Sequence, residues 1–71
     1  MAFVDTVAER LAQETFDRAE ELGTPDLIEQ VSRTLGESSP TLQEGFNTAI
    51  RYLRAEARAK ALLAQQGGPA A

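Results

Sequence analysis

The reading of this chain turns on SPTLQEGFNTAIRYLRAEARAKALLAQQ, residues 39–66, which fills more than a third of the 71 residues. Ser39 is a residue type that caps helix starts, and Pro40 suits the first helical position, where its missing N–H costs nothing. From there Leu42, Phe46, Ala49, Ile50, Leu53, Ala57 and Ala64 recur at the three- and four-residue spacing of one helix face. The stretch predicts a single long helix packed along its neighbours. Gly45 interrupts it beside the apolar stripe, at a cost of roughly 1 kcal/mol relative to alanine. Such a glycine either admits a neighbouring backbone or is a tolerated imperfection. Toward its end the helix becomes alanine-rich through Ala55, Ala57, Ala59, Ala61 and Ala64, which favours helix but buries little area. Its last turns are expected to project beyond the core, and Gly67-Gly68-Pro69-Ala70-Ala71 to form a disordered tail.

This helix also holds most of the positive charge. Residues 1–45 carry ten acids against Arg10, Arg18 and Arg33, a net of −7; residues 46–71 carry Arg51, Arg54, Arg58 and Lys60 against Glu56, a net of +3. At about 100° per residue, Arg51, Arg54 and Arg58 fall at roughly 160°, 100° and 140° from Leu53, on one strip away from the apolar stripe. Lys60 has Glu56 four residues before it, a favourable order, whereas the three arginines have no acid at helical spacing.

Upstream, residues 3–22 repeat apolar positions through Val4, Val7, Ala8, Leu11, Thr15, Ala19 and Leu22, which predicts an amphipathic helix. Asp5 or Thr6 is placed to cap it, Glu14 and Arg18 are spaced for an ion pair, and Gly23 suits a left-handed end. Ala12 and Phe16 widen the apolar face, as expected of a helix with two neighbours. Thr24-Pro25-Asp26 then starts a second helix over residues 25–35, with Leu27, Ile28, Val31 and Leu35 inward and Gly36 as its stop. The two Thr/Ser-Pro starts are alike over several positions, because two helices entered by tight turns need the same cap, proline and first-turn leucine. The expected architecture is all-α: one domain, residues 1–66, with two shorter helices packed on the long C-terminal one.

Composition narrows the function. With no Cys and no His there is no thiol nucleophile, no imidazole base and none of the usual zinc ligands. No glycine-rich phosphate loop is present, and a chain this short has little room to wall a substrate pocket. Neither catalysis nor a cofactor, metal or small-molecule substrate is expected. No apolar run approaches the ~18 residues of a membrane span, and the opening Met1-Ala2-Phe3-Val4-Asp5 does not read as a signal peptide. A cytoplasmic location is therefore expected.

A domain of this size buries only roughly 60% of its unfolded surface and often needs help from a disulfide, a metal or a partner. Without Cys or His, a partner is what remains, and a homodimer is favoured. The expected function is a non-catalytic protein–protein interaction or regulatory module. Its candidate partner-binding residues are Arg51, Arg54 and Arg58, the acids Glu9 and Glu20 with Asp5 on the first helix, and Phe16 and Tyr52 as aromatic anchors. The wheel places the acidic-aromatic and basic strips apart within one chain, so they are expected to meet between chains. The alternative is a weak nucleic-acid-binding accessory protein using the long basic helix. Against it, the N-terminal end of that helix offers Thr41, Gln43 and Glu44 rather than arginine, and the rest of the chain is acidic.

Overall fold

Two proline-marked starts and one left-handed glycine cut the chain into three helices. The computed structural model describes residues 2–67: α1 (Ala2–Leu22), α2 (Asp26–Ser38) and α3 (Pro40–Gly67), with no strand among them. The tail expected from residue 67 onward lies outside the described residues, apart from Gly67, which is the last residue of α3.

The first turn is a Schellman end. Gly23 takes φ 67°. Its N–H donates to the Glu20 carbonyl at 3.3 Å, and the Thr24 N–H donates to the Ala19 carbonyl at 3.0 Å. Together they satisfy carbonyls that the end of α1 would otherwise leave open. No side-chain hydrogen bond caps the start of α2, so Thr24 does not act as the expected cap; Pro25 is already in helical geometry.

The second turn differs from expectation. Gly36 does not stop α2, which continues to Ser38. The stop is Pro40, which pushes its predecessor out of helical geometry. Ser39 is accordingly extended, at φ −154° and ψ 98°, and its N–H closes α2 on the Leu35 carbonyl at 2.7 Å. The same residue opens α3 as expected: its Oγ accepts the Leu42 N–H at 3.1 Å. One serine thus ends one helix and begins the next, leaving no linker.

Gly36 has another use. A Cβ built there would lie 2.6 Å from Gln43 Nε2, so the bare backbone makes room for the Gln43 side chain. That amide donates to the Ser32 carbonyl at 2.9 Å, and Ser32 Oγ donates to Asn47 Oδ1 at 2.8 Å. This half-buried polar seam fixes α2 antiparallel to α3.

α1 packs on α3 by smallness. Ala8, Ala12, Thr15 and Ala19 are its buried residues, at spacings of four, three and four. A Cβ on Gly45 would sit 3.1 Å from that of Ala8, so this glycine admits the neighbouring helix closely, one of its two expected roles. Ala8 meets Gly45 while Phe16 and Glu20 share a groove with Arg54, so α1 and α3 run in the same direction. The core centres on Ala12, Phe46 and Ile50, flanked by Leu11, Phe16, Ile28, Val31, Leu35, Ala49 and Leu53.

Several details of the α1 reading are corrected by this packing. Ala12, at the edge of the expected stripe, is at its centre, and Phe16 packs against the core instead of facing away. Leu22 is exposed, because α1 ends beside the turn. The helix begins at Ala2, which puts Asp5 inside the first turn. Arg18 pairs with Glu21 at 3.9 Å, not with the expected Glu14; Glu56–Lys60 forms as expected at 3.5 Å.

The assembly is elongated and thin, with principal-axis extents of 49 × 28 × 13 Å and a radius of gyration of 14.3 Å. A compact domain of this length would have a radius near 11 Å, by the usual scaling of about 2.2·N^0.38. Residues 58–66 account for part of the difference. All of them are exposed, an extension of about 13 Å at 1.5 Å per residue.

Phe46→Ala is expected to cost about 3–5 kcal/mol, comparable to the whole stability of a core this small, and to leave the chain largely unfolded in a urea titration followed by circular dichroism. Gly36→Ala trades a helix-propensity gain of about 1 kcal/mol against displacement of Gln43, so alone it should be nearly neutral. In a Gln43→Ala background the same change should stabilise by about 1 kcal/mol. Equal effects in the two backgrounds would show that Gly36 and Gln43 do not couple.

Candidate functional site

Surface relief on this molecule follows from its packing: where α3 meets α1 or α2 through small or polar residues, grooves run beside the seam. The first lies between the N-terminal half of α1 and the outer side of α3, with a volume of about 540 Å³. Its floor is apolar or small, from Val4 and Ala8 on one helix and Gly45 and Ala49 on the other. Its rim carries Asp5, Glu9 and Glu44 together with Arg51. Tyr52 closes one end and is 72% exposed, an aromatic ring held by little except its own helix.

A second groove lies between α2 and α3. There Arg51 and Arg54 face Asp26 and Glu29 across a strip that includes Ser32 and Asn47. The third, at the Gly23 end, is lined by Phe16, Ala19 and Ile28, with Glu20 and Arg54 at its edge.

These placements change how the candidate residues relate. The wheel sets acids and arginines apart within one chain, yet in the fold Arg51 shares a groove with Glu9, and Arg54 shares one with Glu20 and Phe16. The reason is the parallel pairing of α1 with α3, which puts the outer flank of each helix beside the other; a single-helix projection cannot show that. Arg51 Nη2 also reaches Thr48 Oγ1 at 3.4 Å, the long limit of a hydrogen bond. Arg58 is exposed one turn beyond Arg54, at the start of the projecting segment.

Glu44, Thr41 and Thr48 are lining residues that sequence reasoning did not single out. A signal was present: Thr41, Gly45, Thr48, Tyr52, Ala55, Ala59, Leu62 and Gln66 alternate spacings of four and three along the long helix. This second stripe is apolar enough to notice only at Tyr52 and Leu62. Among the described residues no group of acidic side chains is arranged to hold a metal ion, and no helix is long and apolar enough to cross a membrane.

All three arginines are exposed, and exposed charges contribute little to stability. At a concentration where the chain is monomeric, the triple variant Arg51→Ala, Arg54→Ala, Arg58→Ala should fold with its unfolding free energy changed by less than about 1 kcal/mol. A larger loss in denaturant titration would make the arginines structural.

Comparison of the chain with known protein families, curated proteins and solved structures finds no match.

Proposed function

We propose that this chain is a small, non-catalytic interaction or regulatory module that works by self-association, as a homodimer in the first instance, or by holding another protein. The observation that supports it is the imbalance between core and surface. Among the described residues, only two side chains larger than threonine, Phe46 and Ile50, are buried. Phe3, Leu22, Tyr52, Leu62 and Leu63 remain exposed. Soluble chains leave single apolar residues at the surface routinely; Tyr52, Leu62 and Leu63, three on one helix, support the reading that a partner covers this part of α3.

The grooves add the polar half of the reading. Acids and arginines alternate around their rims, which suits a partner carrying both signs and gives orientation more than affinity. The same arrangement speaks against the nucleic-acid alternative, since Arg51 and Arg54 stand beside Asp26, Glu29 and Glu20, where a phosphate backbone would be repelled.

Light scattering after size exclusion is expected to give a mass above that of a single 7.7 kDa chain at concentrations on the order of 100 μM, with the fraction assembled lower at about 500 mM salt than at about 50 mM. A monomer under both conditions, with no protein recovered on the immobilised chain, would dismiss the reading. Retardation of a nucleic-acid probe by the monomer would turn it to the alternative.

A further inference from the structure

The end of α3 is exposed over residues 58–66, while the groove beside the other end of the same helix has an open apolar floor and a rim richer in acids than in arginine. We propose that the two belong together: the last turns of α3, residues 55–66, lie in the Val4–Tyr52 groove of a second copy of this chain, antiparallel to that copy's α3. The inference rests on self-association as the protein's mode of action and specifies its face, its direction and its register.

Charge complementarity names the occupant. The groove presents three acids, Asp5, Glu9 and Glu44, against one arginine, Arg51. The projecting end carries Arg58 and Lys60, with Glu56 already engaging Lys60 at 3.5 Å. The segment also has the shape the floor requires: Ala55 and Ala59 keep the helix slim where it crosses Gly45 and Thr41, and Leu62 and Leu63, at 56% and 69% exposure, supply the apolar contact. In an antiparallel pair each chain gives its end and receives its partner's, so the contact is self-complementary and closes at two copies.

Register follows from the flanks of the stripe. With Gly45, Tyr52, Ala59 and Gln66 as one set of seam positions and Thr48, Ala55 and Leu62 as the other, the flanking position on one side is occupied in turn by Glu44, Arg51, Arg58 and Gln65. Antiparallel helices bring these flanks face to face. Setting Tyr52 opposite the partner's Thr48 places Glu44 against the partner's Arg58, twice by symmetry, and Ala59 against the partner's Thr41. Arg51 then meets its own copy near the axis, where Asp26 and Glu29 of its own chain lie across the adjoining groove. A slip of one heptad would set Tyr52 opposite Ala55 and bring Arg51 against Arg58, like charge on like charge, twice. A slip the other way pairs Glu44 with Arg51 but carries residues 55–66 past Pro40, the start of the partner's α3, and out of the groove. Charge and groove length together select the first register, and Leu62 and Leu63 come to rest toward the start of the partner's α1, where Phe3 is exposed.

The test uses the full chain. Glu44→Arg and Arg58→Glu, both at exposed positions, should each leave the circular dichroism unchanged and weaken the dimer by about tenfold or more in sedimentation equilibrium. The double variant, and an equimolar mixture of the two single variants, should recover most of the loss. Because the chain has no cysteine, Thr41→Cys mixed with Ala59→Cys should give a disulfide-linked heterodimer under mild oxidation, while either variant alone does not. A dimer indifferent to the reversals, with no such crosslink, would overturn this docking and leave self-association standing through another face. A chain monomeric at every concentration would overturn both.

Discussion

Everything in this fold depends on how closely α1 approaches α3. The contact is made where Ala8 lies against Gly45, so near that a methyl group on the glycine would come within 3.1 Å of its neighbour. At that separation the buried face of α1 can only be small, and Ala8, Ala12, Thr15 and Ala19 are small. Little apolar area is gained per residue from such a face. Dispersion between closely packed backbones compensates in part, and Phe46 and Ile50 fill the space that α2 leaves on the other side of α3. A core made this way has no reserve, which is why the surface of so small a protein still carries exposed leucine and tyrosine.

The polar seam to α2 works by a different rule. Ser32, Gln43 and Asn47 bury little apolar area, yet their hydrogen bonds exist in only one alignment of the two helices. Apolar contacts from Ile28, Val31 and Leu35 hold α2 against the core without specifying where along α3 it sits. The seam does so, and Gly36 is part of it because a side chain there would occupy the place of the Gln43 amide. Packing sets the distance on one side of α3; hydrogen bonding sets the register on the other.

Helix number, type and order were readable from caps, prolines and periodicity, since these are local properties. Ser39 and Pro40 announced α3 correctly, and Gly23 announced the end of α1. Gly36 misled because a glycine in a helix reads as a stop unless one knows what it makes room for, and Gln43 comes seven residues later on another helix. Ala12 and Phe16 fall at the margin of the α1 face on a helical wheel centred on the larger residues. The face buried against a glycine-bearing helix is instead centred on alanine. The grooves were unreadable for a similar reason: they exist between helices, and which flanks adjoin depends on α1 and α3 running parallel.

That parallel pairing also shapes how the chain reaches its fold. The seam between α2 and α3 joins residues eleven to fifteen positions apart, whereas Ala8 and Gly45 are thirty-seven apart. The entropy of closing a loop rises with its length, so the α2–α3 hairpin forms at less cost than the docking of α1. Loop entropy thus favours an order that runs from the α2–α3 hairpin to the docking of α1. On a ribosome α1 emerges before this hairpin, which leaves it waiting, its alanine face uncovered, until α3 is made.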